Sequence, residues 1–362
     1  MADKGAVRAE AARLMAGFAA RGAVEVDPPI LQPAETLLDL YGEDIRARAY
    51  VTQDPVLGEA MLRPDFTVPV VQMHMESGAE PARYTYSGEV FRAQEEATHR
   101  AHEYIQVGYE LFDGTDTASA DAEVFALIAD ALKGQGFHAA TGDIGLIIAA
   151  VNGLSTTALR KAALMRHIWR PRRFRGLLER FAGLAPAPEG RNALISATHP
   201  LHTGAPFIGL RTRAEIEARV EDLREDAAAA PIPEHEVRLM SDLLSLRETV
   251  DNIAEHLHDL AVDMPALAPA IARFDARAAA LSDHGVDLGR LDFEGSYGRT
   301  TLEYYDGFVF GFYAEGRPDL PPVATGGRYD ALTRQLGGGR EIPAVGGVIR
   351  PELALAIAAG RT

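Results

Sequence analysis

The sequence predicts an α+β protein: an antiparallel sheet flanked by helices, interrupted by a helical insertion. Segments that alternate apolar and polar residues, the period of half-buried strands, fill both ends of the chain. From about residue 155 to 285 the chain turns rich in alanine, leucine, arginine and glutamate, with apolar positions at helical period. Strand character returns from Leu291. The expected division is 1–154 for a first core segment, 155–288 for the mainly helical insertion and 289–362 for a second core segment. With 362 residues, 47% of them apolar, there is material for a large core and a smaller unit.

Taken in order, Val7, Ala11, Leu14, Met15 and Phe18 form one apolar stripe, and Gly22 offers a stop, so the chain opens with an amphipathic helix. "AVEVDPPIL" reads as a short strand broken by Pro28 and Pro29. "AYVTQ" comes next, and "AMLRPDFTVPVVQMHM" is a strand end running into a helix. "ARYTYSGEVFRAQ" and "EYIQVGYELFD" are two antiparallel strands joined by a charged loop around Glu95 to His99. "TASADAEVFALIADALKGQGF" is a helix with Ser119 or Asp121 near its start and Gly134 near its end. "TGDIGLIIAAVNGL" passes from buried strand to helix. In the insertion, Ile216, Val220 and Leu223 make one helical set and Val250, Ile253 and Leu257 another, with prolines separating the helices. "LEYYDGFVFGFYAEG", "PPVATGGRYDALTRQLGG" and "AVGGVIRPELALAIAAG" restore strands and end on a helix.

Composition excludes several functions. The net charge is −16, from 52 acids against 36 bases, which repels phosphate backbones. Cysteine is absent, so there are no disulfides and no cysteine zinc sites. No run approaches the roughly 18 apolar residues of a membrane span, and the charged N-terminus lacks a signal-peptide core. A soluble, cytoplasmic protein without membrane contact is expected. His99 and His102, and His199 and His202, are spaced i, i+3 without supporting ligands, so no metal is expected. "GGGR" at 337–340 lacks the Lys-Ser/Thr of a P-loop and reads as a turn. "RHIWRPRRFRG" at 166–176 gathers five arginines and the only tryptophan; a solvated or ion-paired face explains it more simply than nucleic acid.

On the strand "EYIQVGYELF", Tyr104, Gln106, Gly108 and Glu110 share one face, and Ile105, Val107, Tyr109 and Leu111 the other. The first is either a solvated sheet face or the floor of a polar pocket. As a floor, Glu110 would accept from an ammonium or imidazole, Gln106 would orient the ligand, and Gly108 would let it approach the backbone.

The motifs then form an ordered set. "FRAQ" at 91–94, followed by Arg100, Gln106, Gly108 and Glu110, resembles the second signature motif of class II aminoacyl-tRNA synthetases in the form used by histidyl-tRNA synthetase. "LRPDFT" at 62–67 resembles that family's amino-acid-binding stretch, with Asp65 where glutamate is usual. "LEYYDGFVF" at 302–310 resembles its histidine-specific motif, "ATGGRYDAL" at 324–332 its glycine-rich strand and turn, and "VGGVIRPELAL" at 345–355 its third motif. Pro29 stands where the first motif, a dimer element, has its proline. The resemblance implies a class II synthetase-like fold and a homodimer. It also implies a histidine-like pocket of Asp65, Thr67, Arg92, Gln106, Glu110, Tyr304 and Tyr305. Adjacent tyrosines on a strand face opposite ways, so Tyr305 is favoured to point inward.

The departures decide what that pocket does. Gln94 replaces the motif-2 glutamate, Thr300 the catalytic arginine (with Arg299 one place out of register), and Leu353 the phosphate-gripping arginine of the third motif. Adenylate formation needs cations on the developing phosphate charge, and losing one such donor commonly costs about a hundredfold or more. Only Ala356 to Thr362 follow the third motif, so no anticodon-binding domain and no tRNA are expected. The pattern resembles the regulatory subunits of ATP phosphoribosyltransferase, synthetase paralogues that pair with a short catalytic subunit in the first step of histidine biosynthesis. The resemblance implies a regulatory subunit with histidine as effector, no catalytic residues and no cofactor. The competing expectation is a stand-alone ligase that activates an amino acid with ATP; a third is an assembly scaffold with a vestigial pocket.

Overall fold

The computed structural model describes residues 3–41, 43–93, 101–201, 208–299 and 304–360. Helix α1 (Lys4–Ala19) is capped by Asp3, whose carboxylate accepts from the Ala6 amide at 3.2 Å. Val7, Ala11, Leu14 and Phe18 are its buried stripe, and Gly22, at φ +87°, turns the chain away. Strands β1 (Val24–Glu25) and β2 (Leu31–Pro33) flank the proline pair; α2 (Ala34–Tyr41), β3 (Val51–Asp54), β4 (Gly58–Leu62) and α3 (Thr67–Ser77) follow. The long strands β5 (Ala82–Phe91) and β6 (Glu103–Phe112) pair antiparallel, as their alternation predicts. The loop expected around Glu95 to His99 lies outside the described residues.

Helix α4 (Thr117–Ala131) begins at Thr117, where the expected segment begins. Asp116 caps it, accepting from the Ala118 and Ser119 amides at 3.1 Å, so Ser119 and Asp121 lie inside the helix. Strand β7 (Phe137–Asp143) runs into α5 (Ile144–Gly153). Then come α6 (Ala158–Met165), α7 (Pro171–Phe181), α8 (Glu189–Ser196), α9 (Arg213–Ala228) and α10 (Glu234–Ser245). The short strand β8 (Arg247–Thr249) precedes α11 (Val250–Asp263) and α12 (Ala268–Asp283). The last segment holds β9 (Asp292–Glu294), β10 (Phe308–Ala314), β11 (Ala324–Arg328), α13 (Asp330–Leu336), β12 (Ala344–Ile349) and α14 (Pro351–Ala358).

Nine strands form one sheet in the order β1-β5-β6-β12-β11-β10-β7-β9-β8, and β2-β4-β3 form a second. Among the described residues of the large sheet, only β1–β5 and β7–β9 pair parallel. Both flanks of the helix-rich stretch therefore feed the same sheet, and β8 forms its far edge. The helical face of the sheet is aromatic: Tyr109 lies 5.6 Å from Phe18 of α1, and Phe308, Phe310 and Phe312 surround Phe125 of α4. Arg277 of α12 reaches Asp143 at 2.6 Å and Asp121 of α4 at 3.5 Å, while Arg328 reaches Asp121 at 2.7 Å, so buried charges pin two helices to the sheet. The opposite face is set by register. Glu110 pairs with Gly346, Gly346 with Gly327, and Gly327 with Val309, so these four share it. Within the insertion, Arg160 of α6 donates to Asp226 of α9 at 2.5 Å, and Arg191 of α8 also pairs with Asp226. No described helix is long and apolar enough to cross a membrane.

Candidate functional site: a carboxylate held by three hydroxyls

Glu110 is 1% exposed, and its two oxygens accept three hydrogen bonds. Thr67, the first residue of α3, donates to Oε1 at 2.9 Å, and Tyr86 of β5 donates to the same oxygen at 2.8 Å. Tyr329, between β11 and α13, donates to Oε2 at 2.5 Å. Four separate segments thus meet at one carboxylate. The face of β6 that could have been solvated is buried and polar.

Burial pushes the Glu110 pKa up to about 7, against the hydroxyls, which favour its charged form; nearby Asp65 raises it further. Tyr86 and Tyr329 are pushed well above the ordinary phenol range, first by burial and then by the Glu110 charge. The clamp therefore stays fully protonated while the carboxylate at its centre titrates near neutrality.

Two glycines make room. A Cβ on Gly346 would stand 1.5 Å from Glu110 Oε2, and one on Gly108 would stand 2.2 Å from the Tyr86 ring. Gly108 was expected to admit a ligand to the backbone; in the structure the Tyr86 ring takes that space. Phe66 stacks on Tyr86 with centroids 4.3 Å apart, closing that side.

Most of the expected pocket residues converge. Asp65 is buried, its Oδ1 3.4 Å from the Val68 amide, and its charge is felt by Glu110, Tyr86 and Tyr305. Tyr305 is buried, and its pKa is raised by burial and by Glu110 and Asp65. The structure corrects the expectation for the tyrosine pair: Tyr304 and Tyr305 lie in a turn before β10, not on a strand, so alternation does not separate them. Both are buried, their rings 4.9 Å apart, and Tyr304 also meets the Tyr329 ring at 6.0 Å. Arg92 donates from Nε to the Pro64 carbonyl at 3.1 Å, beside Asp65. Gln106 lies on the Glu110 face, four residues away or roughly 13 Å along the strand. It is 1% exposed, and its Oε1 has no hydrogen-bond partner among the described residues. Gln94, Arg100 and Thr300 lie outside the described residues. Leu353 sits on α14 and packs against the apolar core.

Tyr86 and Tyr329 were not singled out from the sequence. The signal for Tyr86 was present: it faces Gly108 across the β5–β6 ladder, diagonal to Glu110. His74 was also missed; it is fully buried, stacks on Phe112 at 3.9 Å and meets the Tyr84 hydroxyl at 3.1 Å. Among the described residues no cluster could hold a metal ion.

A family model described as histidyl-tRNA synthetase matches residues 2–199 and 213–353. The ATP phosphoribosyltransferase regulatory subunit of Agrobacterium fabrum is 34% identical over 356 residues, covering 93% of each chain. The chain belongs to the family of ATP phosphoribosyltransferase regulatory subunits. The regulatory subunit of Rhizobium meliloti is 32% identical over 96% of each chain. These relatives are named for a regulatory role, so the chain stands with non-catalytic subunits of that transferase. The fold is shared more widely. A solved regulatory subunit/histidyl-tRNA synthetase from Bacillus halodurans superposes with TM-score 0.68 at 22% identity, over 99% of this chain and 82% of that one. Histidyl-tRNA synthetase from Nostoc gives 0.64 at 17% identity, over 98% of this chain and 72% of its own. The expected class II synthetase-like fold is therefore correct.

Proposed function

We propose that the chain is the cytoplasmic, non-catalytic partner of a short-form ATP phosphoribosyltransferase, and that it carries the histidine feedback signal to the first step of histidine biosynthesis. It works as a homodimer and binds neither tRNA nor a cofactor. The relatives' shared name supports the pairing, at about one-third identity over nearly the whole chain. The observation that carries the sensing role is the buried polar floor itself. Gln106 keeps an acceptor open, and Glu110, which titrates near neutrality, supplies a negative charge once a cationic donor faces it. An amino acid presents the complementary donors, an ammonium and, in histidine, an imidazole N–H. Asp65, Thr67, Arg92, Tyr304 and Tyr305 complete the proposed pocket. Leu353 supports the non-catalytic half of the reading, because an apolar side chain there offers nothing to a phosphate.

The test is reconstitution. Mixed with a short catalytic subunit, the chain should raise its phosphoribosyl transfer, and histidine should then inhibit. Gln106→Leu should shift the inhibition curve by about tenfold to higher histidine, the loss of one hydrogen bond to a charged donor, with maximal activity retained. An unshifted curve places the sensor elsewhere; no activation removes the pairing. Rapid ATP–pyrophosphate exchange with histidine would favour the amino-acid ligase instead.

A further inference from the structure

On the pocket side of the sheet, but towards its far edge, a cavity of about 840 Å³ opens between α7, α10 and strands β7, β9 and β10. Gln106 and Glu110 lie on β6, three strands from β10 and four from β7, or roughly 14–19 Å away at the usual strand spacing. The cavity is thus separate from the carboxylate clamp and does not depend on the function proposed for it.

Its lining is cationic in a protein of net charge −16. Among the described residues, Arg172, Arg175, Arg247 and Arg299 line it against two carboxylates, Asp292 and Glu294. Arg247 pairs with Glu294 at 3.4 Å. Arg299 is the informative one. It is 3% exposed, its Nε donates to the Ile168 carbonyl at 2.7 Å, and its guanidinium lies 4.7 Å over the Phe174 ring. Its Nη2 has no hydrogen-bond partner, and no carboxylate pairs with it among the described residues. A buried, unpaired cation is costly, so it calls for a partner that completes it. Burial lowers its pKa to about 10, and neighbouring Arg175 adds a second positive charge. Arginine remains charged at neutral pH even so.

Two more features point to an anion. Helix α7 begins at the cavity with Pro171 at its first turn and no side-chain cap, so its N-terminal amides add positive potential there. The walls are also aromatic. Tyr297 and Tyr313 share a hydroxyl contact of 2.9 Å, and His138 stacks on Tyr313 at 5.8 Å. A volume in the usual range for small-molecule sites, with arginine forks at one side and rings at the other, suits an organic molecule carrying phosphate better than a bare ion.

We propose that this cavity binds a phosphorylated small molecule, its phosphate held by Arg299, Arg175 and Arg172 between the helical insertion and the sheet. The arginine-rich run 166–176 then has a role of its own: α7 carries two of the cations and the ring beneath the third. A ligand there would tie α7 to β9 and β10, elements that come from different segments of the chain.

Calorimetry of the intact chain with pyrophosphate, ADP, adenosine and succinate tests this. Pyrophosphate and ADP should bind, ADP more tightly through the rings, and adenosine and succinate should each bind at least about tenfold more weakly. Arg172 and Arg175 are exposed, so Arg172→Gln/Arg175→Gln should fold normally and weaken both phosphate probes by about tenfold or more. Arg317→Gln, at an exposed pair with Asp319 away from the cavity, should change nothing. Equal binding of adenosine or succinate, unchanged binding in the double variant, or no binding of either phosphate probe at millimolar concentration overturns the proposal. Should Arg299→Met fold, it must lose the phosphate probes as well; retained affinity there also overturns it.

Discussion

Replacing Glu110 by glutamine tests whether the clamp holds an unwilling charge. The change is isosteric. Thr67 and Tyr86 can keep donating to the amide oxygen, while Tyr329, now beside an amide N–H, turns its hydroxyl to accept. What changes is the ionisation. The carboxyl titrates near 4.5 when the chain is unfolded and near 7 when it is buried. The folded state therefore holds its proton more tightly than the unfolded state. Stability from this group is fully present below pH 4.5 and is lost as pH rises through 7. At 1.36 kcal/mol per pH unit, the wild-type chain gives up about 1.4 kcal/mol by pH 5.5 and about 3 kcal/mol by pH 8. Glu110→Gln gives up none of it. Urea unfolding of both proteins across pH 5.5–8 should show the variant gaining on the wild type by roughly 2 kcal/mol, because all other titrating groups cancel in the difference. Parallel curves would refute the reasoning: Glu110 would then ionise as freely in the folded protein as in the unfolded one.

Other substitutions probe packing and assembly. Gly346→Ala should lower stability by about 1–3 kcal/mol or more in thermal unfolding, since its Cβ would fall 1.5 Å from Glu110 Oε2. Gly176→Ala, in helix α7 with nothing near the added methyl, should instead gain about 0.5–1 kcal/mol. Asp226→Ala leaves buried Arg160 and half-buried Arg191 without their shared carboxylate and should cost about 3–5 kcal/mol, read as a lowered denaturation midpoint. Light scattering at micromolar concentration should give twice the 39.0 kDa chain mass; a stable 39.0 kDa species removes the dimer.

Much of this was legible in the sequence because the strands alternate cleanly. The Glu110 face, the β5–β6 pair and the α1 stripe all follow from period alone, and the ordered motifs supplied the fold. Contacts made across the sheet were not legible. Nothing local to Tyr329 says that its hydroxyl reaches a glutamate more than two hundred residues earlier in the chain. Tyr304 and Tyr305 misled because a strand was extended backward over a turn, and alternation applies only within the ladder. Asp116 was not recognised as the cap of α4, and Asp121, placed near the helix start, is claimed by Arg277 and Arg328. The cavity beside α7 was invisible for a related reason. The arginine run could be seen, but two of the strands that close the cavity over it, β9 and β10, come more than a hundred residues later.

The floor beneath the clamp has a consequence for how such a protein can change over time. Gly108 and Gly346 give Tyr86 and Glu110 their places by lacking a methyl group. A lineage cannot reshape this site from below, because nearly any new side chain on those strands collides with what is already there. Variation is channelled upward, into Tyr304, Tyr305 and Tyr329, which stand outside the strands and can be exchanged without breaking a ladder. Descendants that acquire new preferences should therefore keep the glycines and trade the rings.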